Sequence, residues 1–271
     1  MPSDLSIDTL WLSALRAAGR SPKTLSTYAY CVEQLKVWRP GPLETLTRFE
    51  ALAFVKHLGD QYTPGGVSLR VRSLRALWSW ALAEEMVEAN VFARIKVSVT
   101  PEAKPTATAE QIEAMLAHAR GNRRDYALLT LLVDSGARRK EIASLTVADI
   151  DLSSGVVRFP VSKSMIRTVP LSDRCVTAHG RWLRYRGIGQ GSLWSSDDAY
   201  SLVCAVTLRH SRNKLRPHAM RRAFAVNWIA RGGSETGLMR LCGWTSREMI
   251  SIYTRANADV LAADEFRRLL G

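Results

Sequence analysis

Three stretches near the C-terminal end hold side chains suited to attack on a phosphate. Pro217-His218-Ala219-Met220-Arg221-Arg222-Ala223-Phe224 sets an imidazole and a guanidinium three positions apart, so on a helix both face one side. Leu241-Cys242-Gly243-Trp244-Thr245-Ser246 follows, and Ser251-Ile252-Tyr253-Thr254 supplies a phenol behind the Gly-Trp turn. Far upstream, Ser135-Gly136-Ala137-Arg138-Arg139-Lys140-Glu141 adds further cations after a glycine. A phosphodiester can be cleaved without metal by a nucleophile, positive clamps on the non-bridging oxygens, an acid for the leaving oxygen, and a base or hydrogen-bond partner. Singly, each stretch reads as something plainer: a basic surface turn, a structural histidine, a packing tyrosine. Their order and spacing together point to phosphate chemistry.

Composition is compatible with that reading. The net charge of +13 is uneven, with +3 over residues 1–100 and +10 over residues 101–271. An excess of this kind favours a polyanionic partner, because each phosphate contact releases condensed counterions. Arginine outnumbers lysine 30 to 8; arginine suits bidentate phosphate contacts, although codon usage explains the ratio equally well. Cys31, Cys175, Cys204 and Cys242 are scattered without paired spacing, which argues against a zinc site or a disulfide framework and for a reducing compartment. The longest apolar stretch, around Ala127 to Val133, is too short to span a bilayer, and no charged-then-apolar leader opens the chain. A soluble, cytoplasmic protein without membrane partners is expected.

The elements that must position these residues fall in two groups. Over residues 1–96 helical signals dominate: Ser21-Pro22 starts a helix carrying Leu25, Tyr28, Val32 and Leu35, and Thr47-Arg48-Phe49-Glu50 is a capping box ahead of Phe54 and Leu58. Thr63-Pro64-Gly65-Gly66 reads as a break. A further helix is expected from Val67 to Glu85, with Val71, Leu74, Trp78 and Leu82 on one face. Arg72 and Arg75 lie off that stripe, where DNA phosphates or plain solvent fit the pattern alike. Four or five helices make a compact all-helical domain. Residues 97–107, with two prolines and no apolar period, read as a linker.

Residues 108–271 form the second expected domain. Thr108-Ala109-Glu110-Gln111 caps a helix with Ile112, Met115 and Leu116 inward, and Tyr126 to Val133 is a buried helix. Val156 to Val161 and Arg167 to Leu171 read as two strands of a small hairpin turning at residues 162–166. Val260, Leu261, Phe266, Leu269 and Leu270 suit an amphipathic tail helix that docks on a neighbouring protomer or packs in cis.

On these residues the chain resembles the tyrosine recombinase (phage integrase) family. Ser135 to Glu141 is similar to the family's Thr-Gly-Leu-Arg-x-Ser-Glu, making Arg138 the first catalytic arginine and Glu141 its acidic companion. His218 and Arg221 match His-x-x-Arg. Trp244 stands where most members have histidine, and Tyr253 matches the nucleophile. Lys163 matches the hairpin lysine that protonates the leaving 5′-oxygen, in a turn one residue shorter than the family's usual pattern. Ser21 to Tyr28 looks like the opening of a core-binding helical domain, so the resemblance covers nearly the whole chain. Arg139 and Lys140 join Arg72 and Arg75 as candidate DNA contacts.

The resemblance implies a mainly α fold with a small β-hairpin or sheet, arranged as a two-domain DNA clamp: a helical core-binding domain and a mixed α+β catalytic domain. It implies cleavage and rejoining through a 3′-phosphotyrosyl intermediate and a Holliday junction, without cofactor or metal. The expected partners are double-stranded DNA core sites, a homotetramer on DNA, and directionality or host accessory factors. With the core-binding domain starting near Met1, a small integrase or a chromosome-dimer-resolving recombinase without an arm-binding domain is expected. A type IB topoisomerase and a catalytically silent DNA-binding regulator are the alternatives.

Overall fold

A computed structural model describes residues 6–100, 106–160, 166–187, 189, 191–194, 199–212, 214–254 and 258–270. Lys163 and the rest of the hairpin turn through Met165 lie outside the described residues. The chain divides into two compact units, Met1–Pro101 and Glu102–Gly271.

The first unit is built from α1 (Ile7–Ala17), α2 (Pro22–Trp38), α3 (Arg48–Gln61) and α4 (Pro64–Ala83), with a 3-10 turn at Leu43–Thr45. Ser21 caps α2 by accepting from Thr24 N–H, and Thr47 with Glu50 closes the capping box of α3. The break read at Thr63-Pro64-Gly65-Gly66 is present but shorter: only Tyr62 and Thr63 separate α3 from α4. Thr63 is the N-cap of α4 and Pro64 its first residue, where a missing N–H costs nothing, and the two glycines lie in the first turn. The apolar face of α4 also differs from the pattern: Val71, Leu74, Leu77, Trp78 and Ala81 are buried, whereas Leu82 is 41% exposed. The five buried side chains pack with Trp11, Leu35, Phe54, Leu58 and Phe92 into one core.

In the second unit α5 (Ala109–Ala119) starts at a capping box made by Thr108 and Gln111. Its buried Ile112, Met115 and Leu116 meet α6 (Arg123–Ser135), whose Leu128, Leu129, Leu131 and Leu132 are fully enclosed. The short α7 (Arg139–Ala143) leads to a three-stranded antiparallel sheet of β1 (Ile150–Asp151), β2 (Val156–Phe159) and β3 (Arg167–Pro170), in the order β1-β2-β3. In the β2–β3 register Val157 faces Val169 and Phe159 faces Arg167. Then come α8 (Asp173–Arg186), α9 (Ala199–His210), α10 (Pro217–Ala230), α11 (Glu235–Cys242), α12 (Glu248–Thr254) and α13 (Ala258–Leu270). The architecture is mainly α with one small sheet. Among the described residues no helix is long and apolar enough to cross a membrane.

Candidate active site

Helix α6 ends where Gly136 takes a left-handed conformation (φ 54°, ψ 24°), as favoured at a helix C-terminus by a residue without Cβ. The chain reverses there and delivers Arg138 to the N-cap of α7. Glu141, one turn on, accepts from the Arg138 N–H at 2.7 Å and from Arg138 Nη1 at 2.8 Å. Its carboxylate is buried and also accepts from Arg167 Nη2 at 2.8 Å. Burial alone would raise the Glu141 pKa. The Arg167 charge and the hydrogen bonds from Arg138 and Arg167 outweigh it and hold the carboxyl below its ordinary value.

Helix α10 carries the second arginine. Arg221 is 1% exposed; its Nη1 donates to Gly136 O at 2.5 Å and its Nη2 to Cys242 O at 2.7 Å. Those bonds tie α10 to the turn before Arg138 and to the end of α11. One turn earlier on α10, His218 is exposed, and its Nε2 lies 3.0 Å from the phenol oxygen of Tyr253 on α12. Tyr253 packs beside Trp244, 4.8 Å between ring centroids, and the Arg221 guanidinium lies 5.3 Å from the Trp244 ring and 5.8 Å from the Tyr253 ring. Ala225, Leu238, Cys242 and Ile250 complete the apolar wall that holds both aromatic rings. Trp244 Nε1 is buried with no hydrogen-bond partner among the described residues. Burial raises the Cys242 thiol pKa, against the lowering pull of the Arg221, Arg167 and Arg138 charges.

The structure thus brings Arg138, Glu141, His218, Arg221, Trp244 and Tyr253 together. Lys163 falls outside the described residues. Arg139 turns away to stack on Tyr200, 3.6 Å from guanidinium carbon to ring centroid, and donates to its hydroxyl. Lys140 is exposed. Arg72, in the first unit, is exposed and donates to Ser68 O at 3.3 Å. Arg75 is directed to the segment after α4, giving hydrogen bonds to Phe92 O and Ile95 O at 3.1 and 2.5 Å.

Sequence reasoning passed over Arg167, which stands in β3 with Val169 on the inward face. The signal was available: an arginine in phase with a core valine on an alternating strand must have an internal partner.

A helical domain with a small sheet bears two arginines, an imidazole and a phenol at one site, an arrangement with the groups needed to bind and attack a phosphate. A model of the phage integrase family matches residues 106–259, and the chain belongs to that family. Among its relatives is tyrosine recombinase XerC of Myxococcus xanthus, 24% identical over 279 residues covering 90% of each chain. Among solved structures, the Tn1549 transposon integrase in complex with transposon right end DNA superposes with a TM-score of 0.77 at 18% identity, over 98% of this chain and all of that one. A lambda integrase tetramer bound to a Holliday junction gives 0.75 at 18% identity, over 89% and 77% of the two chains.

Proposed function

We propose that this protein is a site-specific DNA recombinase that cuts and rejoins duplex DNA through Tyr253. The observation that carries this reading is the 3.0 Å approach of the Tyr253 hydroxyl to His218 Nε2, with Arg221 beside both aromatic rings of the site. In this reading His218 accepts the phenolic proton as the oxygen attacks the scissile phosphorus. The 5′-oxygen leaves, a 3′-phosphotyrosyl bond forms, and Lys163 protonates the leaving oxygen. Arg138 and Arg221 hold the non-bridging oxygens as charge grows on the pentacoordinate transition state, and the Trp244 N–H donates to one of them. The covalent link conserves the energy of the broken bond. A 5′-hydroxyl from a partner duplex then reverses the step on a new strand.

Two such exchanges in a homotetramer pass through a Holliday junction, as the assembly of the lambda integrase suggests. The positive balance of the second unit and the exposed Arg72 and Lys140 support contact with DNA backbone. The integration or excision of a mobile element, with accessory factors setting direction, is the biological outcome we favour. Helix α13 supports assembly: it packs along α10, yet Phe266, Leu269 and Leu270 are 62%, 66% and 75% exposed, an apolar edge suited to a neighbouring protomer.

The test uses nicked suicide duplexes tiled from DNA flanking the gene. Wild-type protein should give an SDS-resistant protein–DNA adduct on one tile, and Tyr253→Phe should give none while binding the same tile. An adduct that persists in Tyr253→Phe removes Tyr253 as the nucleophile.

A further inference from the structure

The end of α11 leaves carbonyl groups that the helix itself cannot satisfy. Gly243, left-handed at φ 61°, closes the helix: Trp244 N–H donates to Met239 O at 2.9 Å and Gly243 N–H to Arg240 O at 3.3 Å. The next three carbonyls each meet a different arginine. Leu241 O accepts from Arg167 Nη1, Cys242 O from Arg221 Nη2 at 2.7 Å, and Gly243 O from Arg138 Nη2 at 3.4 Å. Two of these arginines are the phosphate clamps of the reading above. The third, Arg167, comes from β3, and the sequence reading gave it no role.

Arg167 is enclosed at 1% exposure, with its guanidinium 4.4 Å from the Phe159 ring centroid. Its two Nη groups reach in different directions, one to Leu241 O and one to Glu141 Oε2. The same Glu141 carboxylate grips Arg138 at both its backbone N–H and its Nη1. We propose that Arg167 is a positioning residue for strand cleavage: through Glu141 it fixes the Arg138 guanidinium, and through Leu241 O it fixes the turn that presents Trp244. The inference rests on the recombinase reading.

The planar fork of arginine makes both bonds at once, whereas a lysine head offers a single charged point at the end of a flexible stem. Without Arg167, Glu141 is a buried carboxylate with one cation fewer, and Arg138 becomes its nearest source of compensation. Arg138 is then drawn toward Glu141 and away from the phosphate. Small misplacements of this kind matter because catalysis here depends on charge held ready at the place where it develops.

The experiment measures single-turnover adduct formation by the full chain on the suicide duplex that the wild type cleaves. Arg167→Met and Arg167→Lys are compared in the wild-type and Arg138→Lys backgrounds, with duplex affinity and melting temperature recorded for each. Arg167→Met should slow adduct formation by about 100-fold with duplex affinity unchanged, the scale of loss from a misplaced clamp. Arg167→Lys should recover part of the rate. In the Arg138→Lys background the same change should cost little more, because residues that act as a unit are not additive. Equal fold-losses in both backgrounds, or losses that only follow melting temperature, overturn the proposal. Should Arg167→Met fail to fold, Arg167→Lys in the two backgrounds decides the question alone. No adduct from the wild type on any tile counts against the recombinase reading and takes this inference with it. A wild-type adduct with additive losses overturns the positioning role only.

Discussion

The phenol oxygen of Tyr253 lies 3.0 Å from Nε2 of His218, and the two rings meet at 65° with centroids 5.4 Å apart. Such a contact lets neutral imidazole accept the phenolic proton without either side chain moving. His218 comes from the first turn of α10 and Tyr253 from α12, so the contact depends on the packing that seats Tyr253 against Trp244 with Arg221 beside both rings. His218→Gln retains hydrogen-bonding groups but cannot take up the proton. Its rate of adduct formation should fall by about 10²–10⁴-fold, the usual range for a general base. Single-turnover cleavage with saturating protein measures this, and a wild-type rate in His218→Gln would mean that the proton leaves by another route.

Gly136 is the position where backbone conformation and site geometry depend most directly on each other. Its φ is +54°, and an added Cβ would stand 2.5 Å from Phe224 Cδ1 on α10. Its carbonyl also receives Arg221 Nη1. Gly136→Ala therefore combines left-handed strain with a clash in a packed wall, about 3 kcal/mol of destabilisation when the two costs are taken together. Urea unfolding measures it, and a change under about 1 kcal/mol would mean the turn relaxes at little cost. Cleavage should fall along with stability, since any relaxation shifts the carbonyl that anchors Arg221.

The local rules of the sequence made much of this legible. Thr108 and Gln111 announce the start of α5, Thr47 and Glu50 that of α3, and the i, i+3 spacing places His218 and Arg221 on one side of α10. Thr63-Pro64-Gly65-Gly66 marked the break between α3 and α4 but misled over where α4 starts, because the same residues that make a turn also make a proline-led helix start. The two-residue β1 gave too little pattern to read. The strand pattern shows that Arg167 needs an internal partner, but which partners it meets was obscure for a different reason. Its partners Glu141 and Leu241 lie far away along the chain, and the grip of Arg138, Arg167 and Arg221 on three consecutive carbonyls exists only once β3, α7, α10 and α11 have packed. Arg75 is similar: an arginine off the apolar stripe resembles a DNA contact until the chain after α4 brings the Phe92 and Ile95 carbonyls to it.

His179 gives the fold a dependence on pH that is separate from the chemistry of the site. It is fully enclosed on α8; Nδ1 lies 2.9 Å from Cys175 O, and Nε2 has no partner among the described residues. Burial disfavours the imidazolium and lowers the pKa from its ordinary 6.5 to about 4, despite the bond to Cys175 O. The folded value is therefore below the unfolded one. Above pH 6.5 both states hold the neutral ring and the contribution to stability is complete. As pH falls from 6.5 toward 4 the unfolded chain takes up a proton that the folded chain refuses, so stability declines, and below about 4 the loss levels off. The shift corresponds to about 3 kcal/mol across that window. Denaturant unfolding of the wild type and His179→Leu at intervals from pH 7.5 to 4.5 is the measurement. The wild type should lose stability more steeply than the variant, and parallel curves would show that the ring takes up its proton without unfolding the domain.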